Sequence, residues 1–237
     1  KGGQLRNCEA RVVKPGAWKP KTGDFRKGEL ALEDSAQGKA LRALVFVMKE
    51  ITGSVPLLQA ATECKAHLAT NSGRITLIHN ASLMLKDSAS DCETQALMRV
   101  MAVNVMAVNT LNRELIGSMA AGSSIIYVGS TLSEKAVSGA YSYVISKHAQ
   151  LGQMRATCQD LSGSGIHTAM VCPGFTDTEM LKQHLGGDVD LMLEIGSQNS
   201  FGRLVKPEEI ANVVVWAHES PVANGSVIHA NLGQKEH

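Results

Sequence analysis

Aromatic residues and net charge are both scarce in this sequence. Phe, Trp and Tyr make up 4% of the 237 residues, which leaves little with which to stack nucleobases. The formal net charge is +1, so composition provides no attraction to nucleic acid or to an anionic membrane, and neither is expected as a partner. No apolar run approaches the roughly 20 residues of a membrane span, and the basic start over residues 1–6 has no apolar signal region behind it. The five cysteines (Cys8, Cys64, Cys92, Cys158, Cys172) are scattered, odd in number and without a CxxC pair. That pattern fits free thiols in a reducing, cytoplasmic compartment. The eight histidines are equally dispersed, and without an HExxH or a Cys/His cluster no metal is expected. No G-x-S-x-G elbow surrounds any serine, which excludes the usual α/β-hydrolase nucleophile. Internal repeats, low-complexity tracts and an internal linker are also lacking.

What remains is an ordinary globular composition, with 44% hydrophobic and 19% charged residues. The length fits one α/β domain whose core can stand without metals or disulfides. From about residue 43 short apolar runs alternate with longer amphipathic stretches. Strands are predicted over 43–48, 75–79, 124–128, 168–171 and 226–230. Helices are predicted over 55–70, 95–119, 143–161 and 207–216, the last opened by Pro207-Glu208-Glu209, with acids at the positive end of the dipole. Such alternation implies βαβ units and a parallel sheet covered on both faces, since the strands are continuous apolar runs. Ligands of such sheets bind beyond the carboxyl ends of the strands. Before residue 42 the reading is atypical: residues 11–13 read as a strand end, and 14–28 as loop.

Polar residues gather at three predicted strand ends: His79-Asn80-Ala81-Ser82, Gly129-Ser130 and Pro173-Gly174-Phe175-Thr176-Asp177-Thr178. A fourth feature is Tyr143-Val144-Ile145-Ser146-Lys147, in which the i and i+4 side chains share a helix face. A free tyrosine has a pKa of about 10, and a neighbouring ammonium favours the phenolate. A phenol tuned in this way can protonate the oxyanion left when hydride adds to a carbonyl, and in reverse can act as base. A serine hydroxyl can donate a second hydrogen bond to the same oxygen. With three tyrosines in the chain, a lone Tyr-x-x-x-Lys carries little weight. The weight lies in the ordered set Asn104, Ser130, Tyr143, Lys147 and Pro173-Gly174.

With that set, residues 43–234 resemble the short-chain dehydrogenase/reductase family. In that family a serine lies thirteen residues before the tyrosine of Tyr-x-x-x-Lys, as Ser130 does before Tyr143. Asn104 in Ala102-Val103-Asn104-Val105 matches the asparagine of the preceding helix. His79-Asn80-Ala81-Ser82 matches the N-N-A-G strand end, and Pro173-Gly174 to Thr178 matches P-G-x-x-x-T. Glu50-Ile51 resembles the D-V contact to adenine. The stretches Gly202-Arg203-Leu204, Pro207 to Ile210, Gly225 to His229 and Gly233-Gln234 follow the pattern too. The resemblance implies a single doubly wound, Rossmann-like domain over 1–237, and hydride transfer between a nicotinamide cofactor and a small or lipophilic carbonyl or alcohol. Tyr143 would be the general acid/base. Lys147 would bind the ribose hydroxyls and tune Tyr143, and Ser130 would orient the substrate oxygen. Asn104 would hold a water linking Lys147 to solvent. Glu50, Ile51, Asn80, Ala81, Ser82, Pro173, Gly174, Thr176 and Thr178 would contact the cofactor. Residues 178–200 would form a substrate lid, and the two long helices would pair copies into a homodimer or homotetramer.

Plainer readings stand beside these. Asn104 could be a satisfied polar residue in a helix kink, Ser82 a turn cap and Glu50 a solvated acid. His79 and His148 read as structural, and Met180, Leu191 and Met192 could simply pack. The sequence also departs from the family, because the glycine-rich first turn, T-G-x-x-x-G-x-G, is not found. Three explanations are open: a start that is incomplete or out of register, an altered mode of cofactor binding, or a degenerate, non-catalytic member acting as a binding or regulatory subunit. The first is favoured, because a complete tetrad has no use without a cofactor. If residues 11–13 end the second strand, Lys14 follows, no acid is present to favour NAD(H), and Lys19 and Lys21 suit a 2′-phosphate. This points to NADP(H).

Overall fold

The computed structural model describes residues Cys8–Val12, Arg42–Met48 and 75–235; the predicted helix over 55–70 lies outside them. One sheet contains β1 (Cys8–Val12), β2 (Arg42–Met48), β3 (Ile75–His79), β4 (Ser124–Val128), β5 (His167–Pro173) and β6 (Ser226–Ala230), side by side in chain order. From β2 to β6 every pairing is parallel. β1 is the exception: it runs antiparallel to β2, with Cys8 opposite Met48 and Val12 opposite Leu44. Val12 therefore ends at the sheet edge away from the carboxyl ends of β3–β5. The sequence reading placed residues 11–13 at the end of a strand feeding the cofactor. The observed pairing removes that premise, and with it the strand-end argument for NADP(H).

The helices are α1 (Thr94–Met101), α2 (Ala107–Leu115), α3 (Tyr141–Asp160), α4 (Glu179–His184), α5 (Val189–Gly196) and α6 (Pro207–Glu219). Among the described residues no helix is long and apolar enough to cross a membrane. Alternate strand residues point to opposite faces, and both faces are covered as the apolar runs require. On one face Ile75, Leu77, Ile125, Tyr127, Met170 and Cys172 pack under Ala107, Val108, Leu111 and Leu115 of α2 and Leu151 and Met154 of α3. On the other, Ile78, Ile126, Ala169 and Val171 meet Ile210, Val214 and Ala217 of α6.

The helix predicted over 95–119 is broken by a π-helical turn, Ala102–Met106, and ends in a 3-10 turn, Ile116–Ser118. Apolar spacing shows neither, because one extra residue in a turn barely changes the helical period over a few residues. The 178–200 segment, read as a lid without strands, folds into α4 and α5, each opened by a side-chain cap: Thr178 Oγ1 accepts from Leu181 N–H, and Asp188 Oδ1 from Leu191 N–H.

Each face of the sheet also carries a buried polar seam. His218 Nδ1 lies 2.6 Å from Thr76 Oγ1 and 2.8 Å from Ser124 Oγ, joining α6 to the strands. Opposite, Asn112 Nδ2 donates to Tyr127 Oη (2.8 Å), and Tyr127 Oη donates to Thr157 Oγ1 (3.1 Å). Asn112 Oδ1 thereby faces His79 Nε2 at 2.8 Å, which places the imidazole proton on Nε2. His79 is structural here, as the sequence suggested. Burial pulls its pKa from 6.5 to about 4, against a smaller opposing effect of the Asn112 bond.

Because its folded pKa lies below its unfolded one, His79 stabilises the fold fully above pH 6.5 and loses that contribution as pH falls toward 4. The loss is about 3 kcal/mol. Denaturant unfolding between pH 7 and pH 4 is expected to show a steeper loss of stability in the native chain than in His79→Gln. Equal slopes would show that His79 is not the group responsible.

Candidate active site

The site grows from one stripe of α3. Ser142, Tyr143, Ser146, Lys147, Gln150, Leu151 and Met154 are its buried residues, at the three- and four-residue spacing that puts side chains on one helix face. The carboxyl half of the stripe enters the apolar core; the amino half is polar and lies against the ends of β4 and β5. A neighbouring segment fixes where the helix starts. Asp87 Oδ1 accepts from Ser142 N–H (3.0 Å), and Asp87 also exchanges backbone bonds with Gly139 and Tyr141. A carboxylate suits the positive end of a helix. Burial opposes its ionisation, but bonds from Ser142 hold the Asp87 carboxyl below its ordinary range.

Lys147 is 1% exposed. Its ammonium donates to the Val128 carbonyl at the end of β4 (3.0 Å) and to Gln150 Oε1 (3.1 Å), and it stands 5.5 Å from the centroid of the Tyr143 ring. An ammonium has three donors, so one N–H has no acceptor among the described residues. Burial lowers the Lys147 pKa from 10.5 to about 8.

Tyr143 is 7% exposed. Burial pushes its phenol up to about 12, while the neighbouring Ser130 and Ser82 hydroxyls pull the other way. The sequence reading had Lys147 lowering this pKa. Burial, the largest influence, wins instead.

Ser130 follows β4 and starts a 3-10 turn, Thr131–Ser133, which it caps: its Oγ accepts from Leu132 N–H (3.1 Å), and Ser133 Oγ accepts from Ser130 N–H (3.2 Å). The preceding Gly129 leaves room for Met170, since a Cβ there would lie 2.7 Å from Met170 Sδ. Beneath them Cys172 is buried, and its thiol is pushed up to about 11 by that burial.

Asn104 sits in the π-helical turn and is fully buried. Its Oδ1 accepts from Leu83 N–H (2.7 Å), and its Nδ2 donates to Leu83 O (2.9 Å) and to Ser146 Oγ (2.8 Å). Ser146 Oγ in turn donates to Tyr143 O (2.8 Å). The Asn104 side chain thus ties the segment after β3 to α3; only its backbone carbonyl, which accepts from Gln150 Nε2 (3.3 Å), points toward Lys147.

The other expected residues divide. Asn80 is exposed, and Ala81 and Ser82 are half-buried at the end of β3. Pro173 ends β5, and Gly174 N–H donates to Ala230 O (3.1 Å). Gly174 has no room for a side chain: a Cβ would lie 2.8 Å from Asn231 Cβ and 2.9 Å from Gln234 Oε1. Thr176 Oγ1 donates to Gly174 O (2.9 Å), while Thr178 spends an oxygen lone pair on Leu181 N–H and keeps its O–H. Glu50 and Ile51 lie outside the described residues. Gln150 and Ser146 were missed, although Gln150 is i+3 from Lys147 and helical spacing alone puts it on the same face.

The residues suit the nicotinamide end of a dinucleotide. Lys147 has an uncommitted donor for ribose hydroxyls, and two of the five buried side-chain oxygens without a hydrogen-bond partner among the described residues are Ser82 Oγ and Gln234 Oε1. Buried polar atoms are rarely left unpaired, and here both lie beside residues expected to meet the cofactor: Ser82 at Tyr143 and Gln234 at Gly174.

Comparison with known proteins agrees with this geometry. A family model described as "Enoyl-(Acyl carrier protein) reductase" matches residues 46–235. The chain is 29% identical over 205 residues to the short-chain dehydrogenase fogB of Aspergillus ruber, covering 78% of this chain and 72% of that one. It is 25% identical over 227 residues to carbonyl reductase family member 4 of Xenopus laevis, covering 84% and 94%. Among solved structures, a short-chain dehydrogenase/reductase from Serratia marcescens superposes with a TM-score of 0.68 at 28% identity, covering 78% of this chain and 75% of that one. With the match spanning well over half of its length, the chain belongs to the short-chain dehydrogenase/reductase family.

Proposed function

We propose that this oxidoreductase acts as a carbonyl reductase, with Tyr143 as its proton donor, Ser130 orienting the substrate oxygen and Lys147 holding the nicotinamide ribose. The reading rests on one observation: a buried Tyr143 phenol meets the Ser130 hydroxyl beside a buried Lys147 ammonium, at the carboxyl edge of a parallel sheet. The bound nicotinamide supplies the hydride. The chain's own residues handle the proton. Ser130 donates a hydrogen bond to the substrate oxygen, and Tyr143 Oη delivers its proton there as negative charge develops. With its pKa raised to about 12, Tyr143 is protonated throughout the neutral range, the form that reduction requires.

Asn80, Ala81, Ser82, Pro173, Gly174, Thr176 and Thr178 line the cofactor side, with the Thr178 O–H free to donate to an anionic oxygen. Val189, Leu193 and Phe201 are 66%, 69% and 67% exposed on and just after α5. Apolar side chains presented there suit a lipophilic ketone. NADP(H) is preferred to NAD(H) on sequence charge alone: Lys14, Lys19 and Lys21 occur with no acid between residues 10 and 23.

Fluorescence titration of the purified protein with NADPH and NADH is expected to show saturable binding, tighter for NADPH. Binding of neither by the folded protein would return the chain to a non-catalytic role. Lys147 carries its charge below about pH 8 and loses it above, so nucleotide affinity should weaken between pH 7 and pH 9. Lys147→Met should bind more weakly at pH 7 and lack that pH dependence. Tyr143→Phe should retain nucleotide binding and lose at least about 100-fold in turnover of any ketone the native chain reduces. Undiminished turnover would remove Tyr143 from the chemistry.

A further inference from the structure

The Lys147 ammonium is held from its inner side by a second side chain, Gln150. Gln150 is 0% exposed, one helical turn along the buried face of α3. Its Oε1 accepts from Lys147 Nζ at 3.1 Å, and its Nε2 donates to the backbone carbonyl of Asn104, in the π-helical turn, at 3.3 Å. An amide has a fixed donor end and a fixed acceptor end, and this one has each end matched: oxygen to the cation, nitrogen to the carbonyl. A glutamine placed only to fill space would leave its polar atoms unpaired, at a cost the core does not tolerate.

We propose that Gln150 is a positioning residue for Lys147, an amide bridge that anchors the ammonium to the Asn104 carbonyl and keeps it charged in a buried site. The bridge lies between the two groups that the family resemblance would join through water. Water passes protons along by exchanging its donors and acceptors; an amide fixed at both ends does not. The inner side of Lys147 is therefore closed to proton exchange, and the ammonium's third N–H is left as its link to the rest of the site. The bridge is a property of the folded chain and does not depend on the cofactor; only this last consequence rests on the proposed activity.

The other ionisable groups facing Lys147 are Tyr143, on its own helix, and Cys172, from β5. Both stay in place in the variants that test the bridge. Gln150→Met keeps the length and bulk of the side chain but removes the strong acceptor. Gln150→Glu keeps an acceptor and adds a negative charge. Each protein, and the native chain, is labelled with 13C at the lysine ε-carbon and titrated by NMR without cofactor, with the Lys147 signal assigned by its loss in Lys147→Met. The native midpoint is expected near 8. In Gln150→Met it should fall by about one unit, and in Gln150→Glu it should rise by about one unit. Opposite shifts of this kind do not arise from a merely structural role. Unchanged midpoints, or shifts of the same sign, overturn the proposal. If near-UV circular dichroism shows one variant unfolded, the direction in the other decides. Failure to bind NADPH would sink the proposed activity and leave this result standing.

Discussion

A charged amine buried to 1% exposure has to be given acceptors where it lies. For Lys147 these are the Val128 carbonyl and Gln150 Oε1, and most of the site's architecture follows from supplying them. The first requires β4 to end beside α3. The second requires Gln150 to have an anchor of its own, the Asn104 carbonyl in the π-helical turn. Three separate elements are thus held in register by one cation. The same burial sets the chemistry: the ammonium falls to about 8 while the neighbouring phenol rises to about 12. Low dielectric disfavours both charged forms, yet at neutral pH Tyr143 keeps its proton and Lys147 its charge.

The sheet is organised to hold that arrangement still. The Asn112–Tyr127–Thr157 chain with His79 on one face, and the His218–Thr76–Ser124 cluster on the other, are satisfied polar seams within apolar layers. Such networks contribute specificity, because a helix that slipped along the sheet would leave several buried polar groups unpaired at once. Asn104 performs the same office at the site itself, with its side chain wholly spent on Leu83 and Ser146. The kink reading of this residue fits its side-chain bonds: its carbonyl accepts from Gln150 while its amide group clamps the segment after β3.

The loop after β5 is fixed by similarly local means. Gly174 fits against Asn231 only because it lacks a side chain. Phe175 and Asp177 pair with Val205 through 2.8 and 2.9 Å backbone bonds. Val205 precedes the start of α6, where Glu209 takes two bonds from Arg203 and one from Lys206 N–H. The hydrogen bonds from Arg203 hold the Glu209 carboxyl down at about 2. Helices α4 and α5 lie between β5 and this framework, with Val189 and Leu193 of α5 and Phe201 after it facing solvent.

Continuous apolar runs and their spacing determined β3 to β6 and the parallel, two-sided sheet, since a strand buried on both faces can hardly be read otherwise. Helical spacing likewise put Tyr143 and Lys147 on one face of α3, a local property, while the grouping of Ser130 with them came from the family resemblance. Tertiary structure alone decided the rest. The antiparallel placement of β1 is a pairing choice that no local pattern encodes. The π-helical turn holds Asn104, whose side chain bonds Leu83 and Ser146 far along the chain. The pKa order of Tyr143 and Lys147 is set by burial, which spacing cannot show: adjacency on a helix implied that the cation would lower the phenol, and desolvation reversed it. Gln150 belongs to both halves, in plain view at i+3 from Lys147, yet meaningful only once the fold brought the Asn104 carbonyl within reach of its amide.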